Sequence, residues 1–199
     1  MAQLLDAVDN HLRTVLGEPE ARAAVTFLGT DRVEVLRFAV TDADGPLVRY
    51  VTLGMSARPM TDPAAVLADP ERGPRAELLL TVAAGRADTD QVFRPLAVLA
   101  ASPQVEGLVV RPGASLDLGQ PLWPRAPFTS VLVEEPGAVV PDLPLPPPRE
   151  PVRFLPLVPM TPHEAAWKRA RGAAALRERW REQGVDLRDP LRRAARLQD

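Results

Sequence analysis

The sequence contains no cysteine, a single lysine (Lys168) and only 5% aromatic residues. The absence of cysteine excludes disulfides, thiolate nucleophiles and cysteine-ligated zinc or iron–sulfur centres. No apolar run approaches the roughly 20 residues that a transmembrane helix requires. The first residues, Met1 to Asp6, lack the basic and apolar regions of a signal peptide. We therefore expect a cytoplasmic protein that neither spans nor binds a membrane.

A chain of 199 residues with 46% hydrophobic content is long enough for one well-packed core. Because aromatic residues are few, aliphatic side chains and alanine must fill most of that core. The net charge of −2 provides no global attraction to nucleic acid or anionic lipid. The charge is uneven, since residues 164–199 carry ten basic and six acidic side chains, a local +4. The fourteen basic and twenty acidic residues before them give −6.

The spacing of apolar residues predicts an α+β fold. A turn-forming sequence at 42–46 is expected to join two strands as an antiparallel hairpin. We predict a single domain over residues 1–199, with a mixed, mostly antiparallel sheet flanked by N-terminal, middle and C-terminal helices. The predicted helices cover 4–16, 89–101 and the region from 162, with a helical turn at 63–67, and the predicted strands cover 25–28, 33–40, 47–55, 77–83, 108–110, 130–134 and 152–158.

The segment 136–151 contains seven prolines in sixteen residues. This composition favours an extended backbone and excludes a central strand. Because the strand pattern resumes at Val152 and little chain follows, we interpret the segment as a crossing over the surface of one domain. It also contains a P-x-x-P-x-R sequence, Pro144 to Arg149, of the kind that aromatic-lined grooves bind. Such matches arise by chance in a chain with 23 prolines.

The C-terminal helical region, 162–199, begins with a strong start signal. Thr161 suits the N-cap, Pro162 the first helical position and Glu164 the third, as in a capping box. A helical wheel predicts one buried face and an opposite face that mixes Lys, Arg and Glu, which argues against nucleic-acid binding. The wheel places Glu164 on this polar face, and the predicted buried residues are Ala166, Ala170, Ala173, Leu176 and Trp180.

No residue pattern in the chain indicates a catalytic site. His11 and His163 are far apart in sequence, and they could act together only if the two ends of the chain met. Ser56 follows Gly54 and Met55, but Arg58 stands where a nucleophile elbow has its second glycine. Phosphate-binding loops and metal-ligand spacings are absent. We predict no catalytic, cofactor or metal site, and therefore a protein that is not an enzyme.

The irregular stretch before residue 130 carries the candidate partner-binding residues Trp123, Arg125 and Phe128. Aromatic and arginine side chains on a surface loop match the composition of binding hot spots. An alternative interpretation is that the two aromatic rings close the edge of the core. The sequence alone leaves both interpretations open.

Three segments taken together resemble one known family. They are Arg49 to Ser56 (RYVTLGMS), Ala76 to Thr81 (AELLLT) and Phe154 to Glu164 (FLPLVPMTPHE). In this order the set resembles the suppressor-of-fused domain family. In animal members, such a domain is the N-terminal part of a larger two-lobed protein that sequesters a transcription factor. Stand-alone bacterial members are associated with immunity or antitoxin roles.

The resemblance implies a non-enzymatic protein-binding module without a cofactor. Its expected role is that of an immunity or antitoxin protein that neutralises a toxin encoded nearby. One alternative is a regulatory or structural interaction protein with a different protein partner. Another is an enzyme of unrecognised type. Neither the identity of the partner nor the oligomeric state follows from the sequence.

Overall fold

The computed structural model describes residues 2–26, 31–61, 69, 71–137 and 139–197. Short 3₁₀ helices lie at Met55–Ala57 and Thr89–Val92. The helices are α1 (Ala2–Leu16), α2 (Phe93–Glu106), α3 (Pro162–Arg171) and α4 (Ala173–Glu182), and the strands are β1 (Ala21–Val25), β2 (Val33–Asp42), β3 (Gly45–Leu53), β4 (Arg75–Ala83), β5 (Ser115–Asp117), β6 (Ser130–Val133) and β7 (Val152–Met160).

The seven strands form one sheet in the order β1-β2-β3-β4-β7-β6-β5. Neighbouring strands are antiparallel except for the central pair β4 and β7, which is parallel, with Leu78 opposite Leu155. The hairpin predicted at 42–46 joins β2 to β3 through the pair Asp42 and Gly45. The α+β, single-domain architecture with a mostly antiparallel sheet is confirmed.

Helices cover the two faces of the sheet. On one face, Val8 and Leu12 of α1 pack in a cluster with Phe38 and Phe154. On the other face, α2 lies against a larger cluster. Strand β4 is covered on both sides, which explains why its sequence is an apolar run without alternation. Its residues Leu78, Leu79 and Leu80 are all buried.

The predicted C-terminal helix is two helices, because Gly172 adopts φ 89° and breaks the helix between α3 and α4. Leu176 and Trp180 are buried, as predicted. The prediction for Ala166 and Ala170 is wrong, since both are exposed. A helical wheel assumes one straight helix axis. Because the helix breaks at Gly172, the face that α3 presents to the core differs from the face that the wheel predicted.

Three further features of the structure differ from the sequence analysis. Residues 108–110 form no strand, because Gly107 ends α2 in the left-handed conformation and the backbone N–H of Val110 donates to Sδ of Met60 (3.3 Å). Strand β5 was not predicted, since three residues carry too little periodicity. The strand predicted over 47–55 would place Met55 on the same face as Leu53. Met55 instead packs on the α2 side, because Gly54, at φ 137°, turns the chain.

Some predicted boundaries shift or cannot be compared. The middle helix begins at Phe93 after a 3₁₀ turn, so Pro95 lies in its first turn. The first strand is Ala21–Val25 instead of 25–28, and residues 27 and 28 lie outside the described residues. The helical turn predicted at 63–67 also lies outside them.

The proline-rich segment 136–151 contacts the α1 side of the fold. Val140 is 1% exposed and belongs to the α1 cluster. Nε2 of His11 donates to the carbonyl oxygen of Pro141 (2.8 Å), and Arg149 pairs with Glu71 (2.8 Å). These contacts hold the segment against the domain at both of its ends. Among the described residues, no helix combines the length and apolar character needed to cross a bilayer.

Candidate partner-binding site

The first two sequence motifs meet at the carboxylate of Glu77, which is completely buried in β4. Its Oε1 accepts hydrogen bonds from the backbone N–H groups of Gly54 (2.9 Å) and Ser56 (3.0 Å) and from Oγ of Ser56 (2.6 Å). Its Oε2 accepts from Oγ1 of Thr52 (2.6 Å). The turn that follows β3 is therefore wrapped around one carboxylate, and Ser56 serves as a donor to it.

The geometry of this turn requires glycine at position 54. Its φ of 137° is unfavourable for other residues, and a Cβ there would lie 2.7 Å from the carbonyl oxygen of Arg32. Burial raises the pKa of Glu77, while the hydrogen bonds from Ser56, Thr52 and Gly54 oppose that shift. The other buried charged residue of β4, Arg75, donates through Nη1 to the carbonyl oxygens of Ser56 (2.8 Å) and Ala57 (3.0 Å).

The third motif ends at a second buried carboxylate, that of Glu164. The predicted capping box is present, with Thr161 and Glu164 bonded to each other's backbone N–H groups. Oε1 of Glu164 also accepts from Nε1 of Trp180 (3.0 Å) and from the backbone N–H of Ala195 (3.0 Å). Arg192 donates to both carboxylate oxygens (2.8 and 3.0 Å). The expectation that Glu164 faces solvent is wrong, because this carboxylate joins α3, α4 and the C-terminal tail.

Arg192 is a structural residue that the sequence analysis did not identify. It lies in an irregular tail where no periodicity predicts burial, yet it is 6% exposed. Its Cζ lies 4.8 Å from the ring centroid of Phe128 and 5.5 Å from that of Trp180. Burial alone would raise the pKa of Glu164, but the hydrogen bonds and charge of Arg192 bring it below its ordinary value.

The histidines take up separate structural positions. The ring of His11 stacks on Phe154, with centroids 5.5 Å apart and planes at 25°. His163 is exposed in the first turn of α3. Within the described ranges, no group of three or more His, Asp or Glu residues is arranged to hold a metal ion.

The predicted binding residues lie on the loop from 118 to 129, which joins β5 to β6. Trp123 is 2% exposed and Phe128 is 1% exposed. Their rings pack edge to face, with centroids 5.7 Å apart and planes at 62°. Both rings belong to the α2-side core, as the alternative interpretation of the sequence had it. Arg125 is the member of the trio whose side chain reaches solvent.

Arg125 occupies a strained position in a tight turn. The backbone N–H of Ala126 donates to the carbonyl oxygen of Trp123 (3.0 Å), with Pro124 and Arg125 at the two central positions. Arg125 has φ 63°, and it is the one non-glycine residue in the described part of the chain with a positive φ. Proline followed by a positive φ is typical of a type II turn, whose third residue is usually glycine or asparagine. The buried aromatic rings thus hold an exposed arginine on a rigid turn.

The fold defines a class of α+β domain that recurs among solved structures. A suppressor-of-fused homologue from Neisseria gonorrhoeae FA 1090 is similar to this chain, with a TM-score of 0.70, 19% identity and 100% coverage of both chains. Residues 29–193 of the sequence match the family described as suppressor of fused protein (SUFU). Because this match covers more than half of the chain, the protein belongs to the suppressor-of-fused family.

Two further structures are similar over 96% of this chain, each at 15% identity. A chain of the Sufu–Fu complex gives a TM-score of 0.69, with 91% of that chain covered. Drosophila Suppressor of Fused gives 0.62, and the present chain spans 50% of its length. No curated protein is a significant match to the sequence.

Proposed function

We propose that this protein is a non-enzymatic binding module that acts by forming a stoichiometric complex with another protein. The observation that carries the proposal is membership of the suppressor-of-fused family, in which one solved relative is the Sufu–Fu complex. The candidate catalytic residues have other roles that fit this proposal. Ser56 donates to the buried Glu77, and His11 stacks on Phe154 and donates to Pro141.

Within this proposal, Arg125 is the predicted residue best placed to contact the partner. A left-handed conformation costs an arginine about 1 kcal/mol relative to glycine, and local strain of this kind collects at functional sites. Glycine would fit the turn better, so the strain points to a use for the arginine side chain. Trp123 and Phe128 contribute to binding indirectly, since they fix the turn that carries Arg125.

The finer proposal is an immunity or antitoxin role in the cytoplasm, with a toxin encoded nearby as the partner. It is supported by the association of stand-alone bacterial members with such roles. The chain also corresponds over its whole length to the homologue from Neisseria gonorrhoeae. Residues 1–163 carry −6, which complements a basic partner such as a nucleic-acid-degrading toxin and would speed encounter with it.

The second candidate function is regulation of a partner that is not a toxin, as in the Sufu–Fu complex. A toxin-like reading frame beside the gene favours the immunity role, and its absence favours regulation. Neither function requires nucleic acid, a membrane or a cofactor.

Affinity capture from the native host tests the proposal. Wild type and the variants Arg125→Ala and Arg125→Gly serve as bait, with Arg94→Ala as the matched control because Arg94 is an exposed arginine on α2. We expect wild type and R94A to retain one protein at equal molar amounts, identified by mass spectrometry. Both Arg125 variants should lose it while remaining folded. Recovery of no stoichiometric partner at any salt concentration would contradict the binding role.

Neutralisation separates the finer roles. The captured protein is produced in a heterologous bacterial host with and without the present chain. Growth arrest that the wild type relieves and R125A does not would support immunity. A partner that does not arrest growth when produced on its own would support the regulatory role.

A further inference from the structure

A cavity of about 230 Å³ opens where the parallel strands β4 and β7 begin. Its apolar walls include Met60, Val110 and Leu155, all 5% exposed or less. These walls suit a short aliphatic chain. The cavity is separate from the turn that carries Arg125, because none of its lining residues comes from the loop 118–129.

The charged residues of this cavity are mainly basic. Among the described residues, Arg75, Arg111 and Arg153 line it together with one acidic residue, Glu150. Glu150 is exposed and makes no ion pair with any described residue. The lining residues that the structure describes therefore carry a net charge of +2, in a chain whose overall charge is −2.

Arg75 is a buried cation without a carboxylate partner among the described residues. It is 3% exposed, and the hydrogen bonds of its guanidinium go to the neutral carbonyl oxygens of Ser56 and residue 57. Its Nε has no hydrogen-bond partner in the part of the chain that the structure describes. Burial and the charge of the nearby Arg149 lower the pKa of Arg75, and the charge of Glu71 opposes this shift. A buried cation of this kind is stabilised when an anion approaches it.

Arg111 and Arg153 provide the accessible donors. Arg111 is exposed, and its guanidinium has no ion pair within the described part of the chain. Arg153 lies 4.0 Å from Asp142, at the limit of an ion pair, and its side chain is 53% exposed. The planar guanidinium matches the geometry of a carboxylate, to which it can donate two parallel hydrogen bonds.

We propose that this cavity binds a carboxylate group carried on a short aliphatic chain. The arginines would donate hydrogen bonds to the carboxylate. The apolar wall of Met60, Val110 and Leu155 would contact the aliphatic chain of the ligand. Inorganic phosphate lacks an apolar part, so it would make no use of the apolar wall formed by Met60, Val110 and Leu155. Two sources share this chemistry, namely a free carboxylic acid and a glutamate side chain of a protein partner. The second source rests on the function proposed above.

The test is a titration of the full chain followed by two-dimensional NMR, which detects weak binding. The probes are pentanoate and its uncharged amide, pentanamide, with inorganic phosphate as a third. We expect saturable shifts with pentanoate and at least tenfold weaker binding of pentanamide and of phosphate. R111E and R153E should each weaken pentanoate binding at least tenfold. The control R94E changes an exposed arginine on α2 by the same charge and should bind like wild type.

The peptides Ac-Gly-Glu-Gly-NH2 and Ac-Gly-Gln-Gly-NH2 distinguish the two sources. Tighter binding of the glutamate peptide than of pentanoate points to a protein partner, and weaker binding points to a free acid. Both outcomes support the carboxylate pocket. Absence of pentanoate and peptide binding, or equal losses in R111E and R94E, would overturn it. Pentanoate binding does not depend on affinity capture, so failure of one proposal is distinguishable from failure of the other.

Discussion

Nη1 of Arg192 lies 2.8 Å from Oε1 of Glu164, and the two side chains are 4% and 0% exposed. This ion pair connects a C-terminal tail without regular structure to the first turn of α3. Nη2 of Arg192 also donates to the carbonyl oxygen of Pro159 at the end of β7 (2.6 Å). Three parts of the chain are therefore joined at one buried guanidinium.

Replacement of Arg192 by alanine should strongly destabilise the protein. It would leave the Glu164 carboxylate buried without its cation, which typically costs about 3–5 kcal/mol. The neighbouring exposed residue Arg193 offers a matched control, and R193A should change the free energy of unfolding by less than about 0.5 kcal/mol. Chemical denaturation measures both variants. Equal midpoints for R192A and R193A would show that the pair contributes little.

The two buried glutamates should affect stability in opposite directions as pH changes. Glu164 has a pKa below its ordinary 4.5, so its contribution is present above that pH and is lost as pH falls through the lowered pKa. Glu77 has a pKa above 4.5, so the folded state retains its proton longer than the unfolded state does. Its contribution is therefore greatest below pH 4.5 and declines as pH rises through the raised pKa.

Unfolding free energies of wild type, Glu77→Gln and Glu164→Gln, measured between pH 3 and pH 8, check these signs. Glutamine does not titrate, so each difference from wild type reports one carboxyl group. Relative to E77Q, wild type should lose stability as pH rises above about 4.5. Relative to E164Q, wild type should lose stability as pH falls below that value. Two curves with the same slope would contradict the assignment.

Substitutions in the loop from 118 to 129 should distinguish a residue needed for stability from a residue needed for binding. Trp123→Ala removes a buried ring and should cost about 3–5 kcal/mol. Arg125→Gly relieves the positive φ and should leave stability unchanged or raise it by up to about 1 kcal/mol. Denaturation midpoints and partner capture are measured on the same samples. A stable R125G variant that still binds the partner would exclude Arg125 from the interface.

Much of the fold was predictable because local patterns and tertiary packing agree. The stripe of Leu4, Val8 and Leu12 predicted α1, and all three residues are buried. The capping box at Thr161 was readable because its donors and acceptors lie within four residues. An apolar run like that of β4 is typical of a strand covered on both faces, and the structure shows β4 in that position.

The structural roles of the motifs were not predictable, because their contacts are distant in sequence. Thr52 and Glu77 are 25 residues apart, and Glu164 and Arg192 are 28 apart. Periodicity reports only which face of an element is apolar, so it assigned Glu164 to solvent. For the same reason, composition could not tell whether Trp123 and Phe128 point toward solvent or into the core.

The position of β7 predicts how the protein responds to cleavage in the segment 136–151. This strand follows the segment in sequence, but it lies in the sheet between β4 and β6, which both precede it. Cleavage should therefore give two fragments that stay associated, because separation would break the sheet on both sides of β7. Limited proteolysis followed by size-exclusion chromatography under native conditions tests this. We expect both fragments to co-elute at the volume of the intact chain and to separate only in denaturant. Two fragments that elute apart and remain folded would show that the segment links two domains.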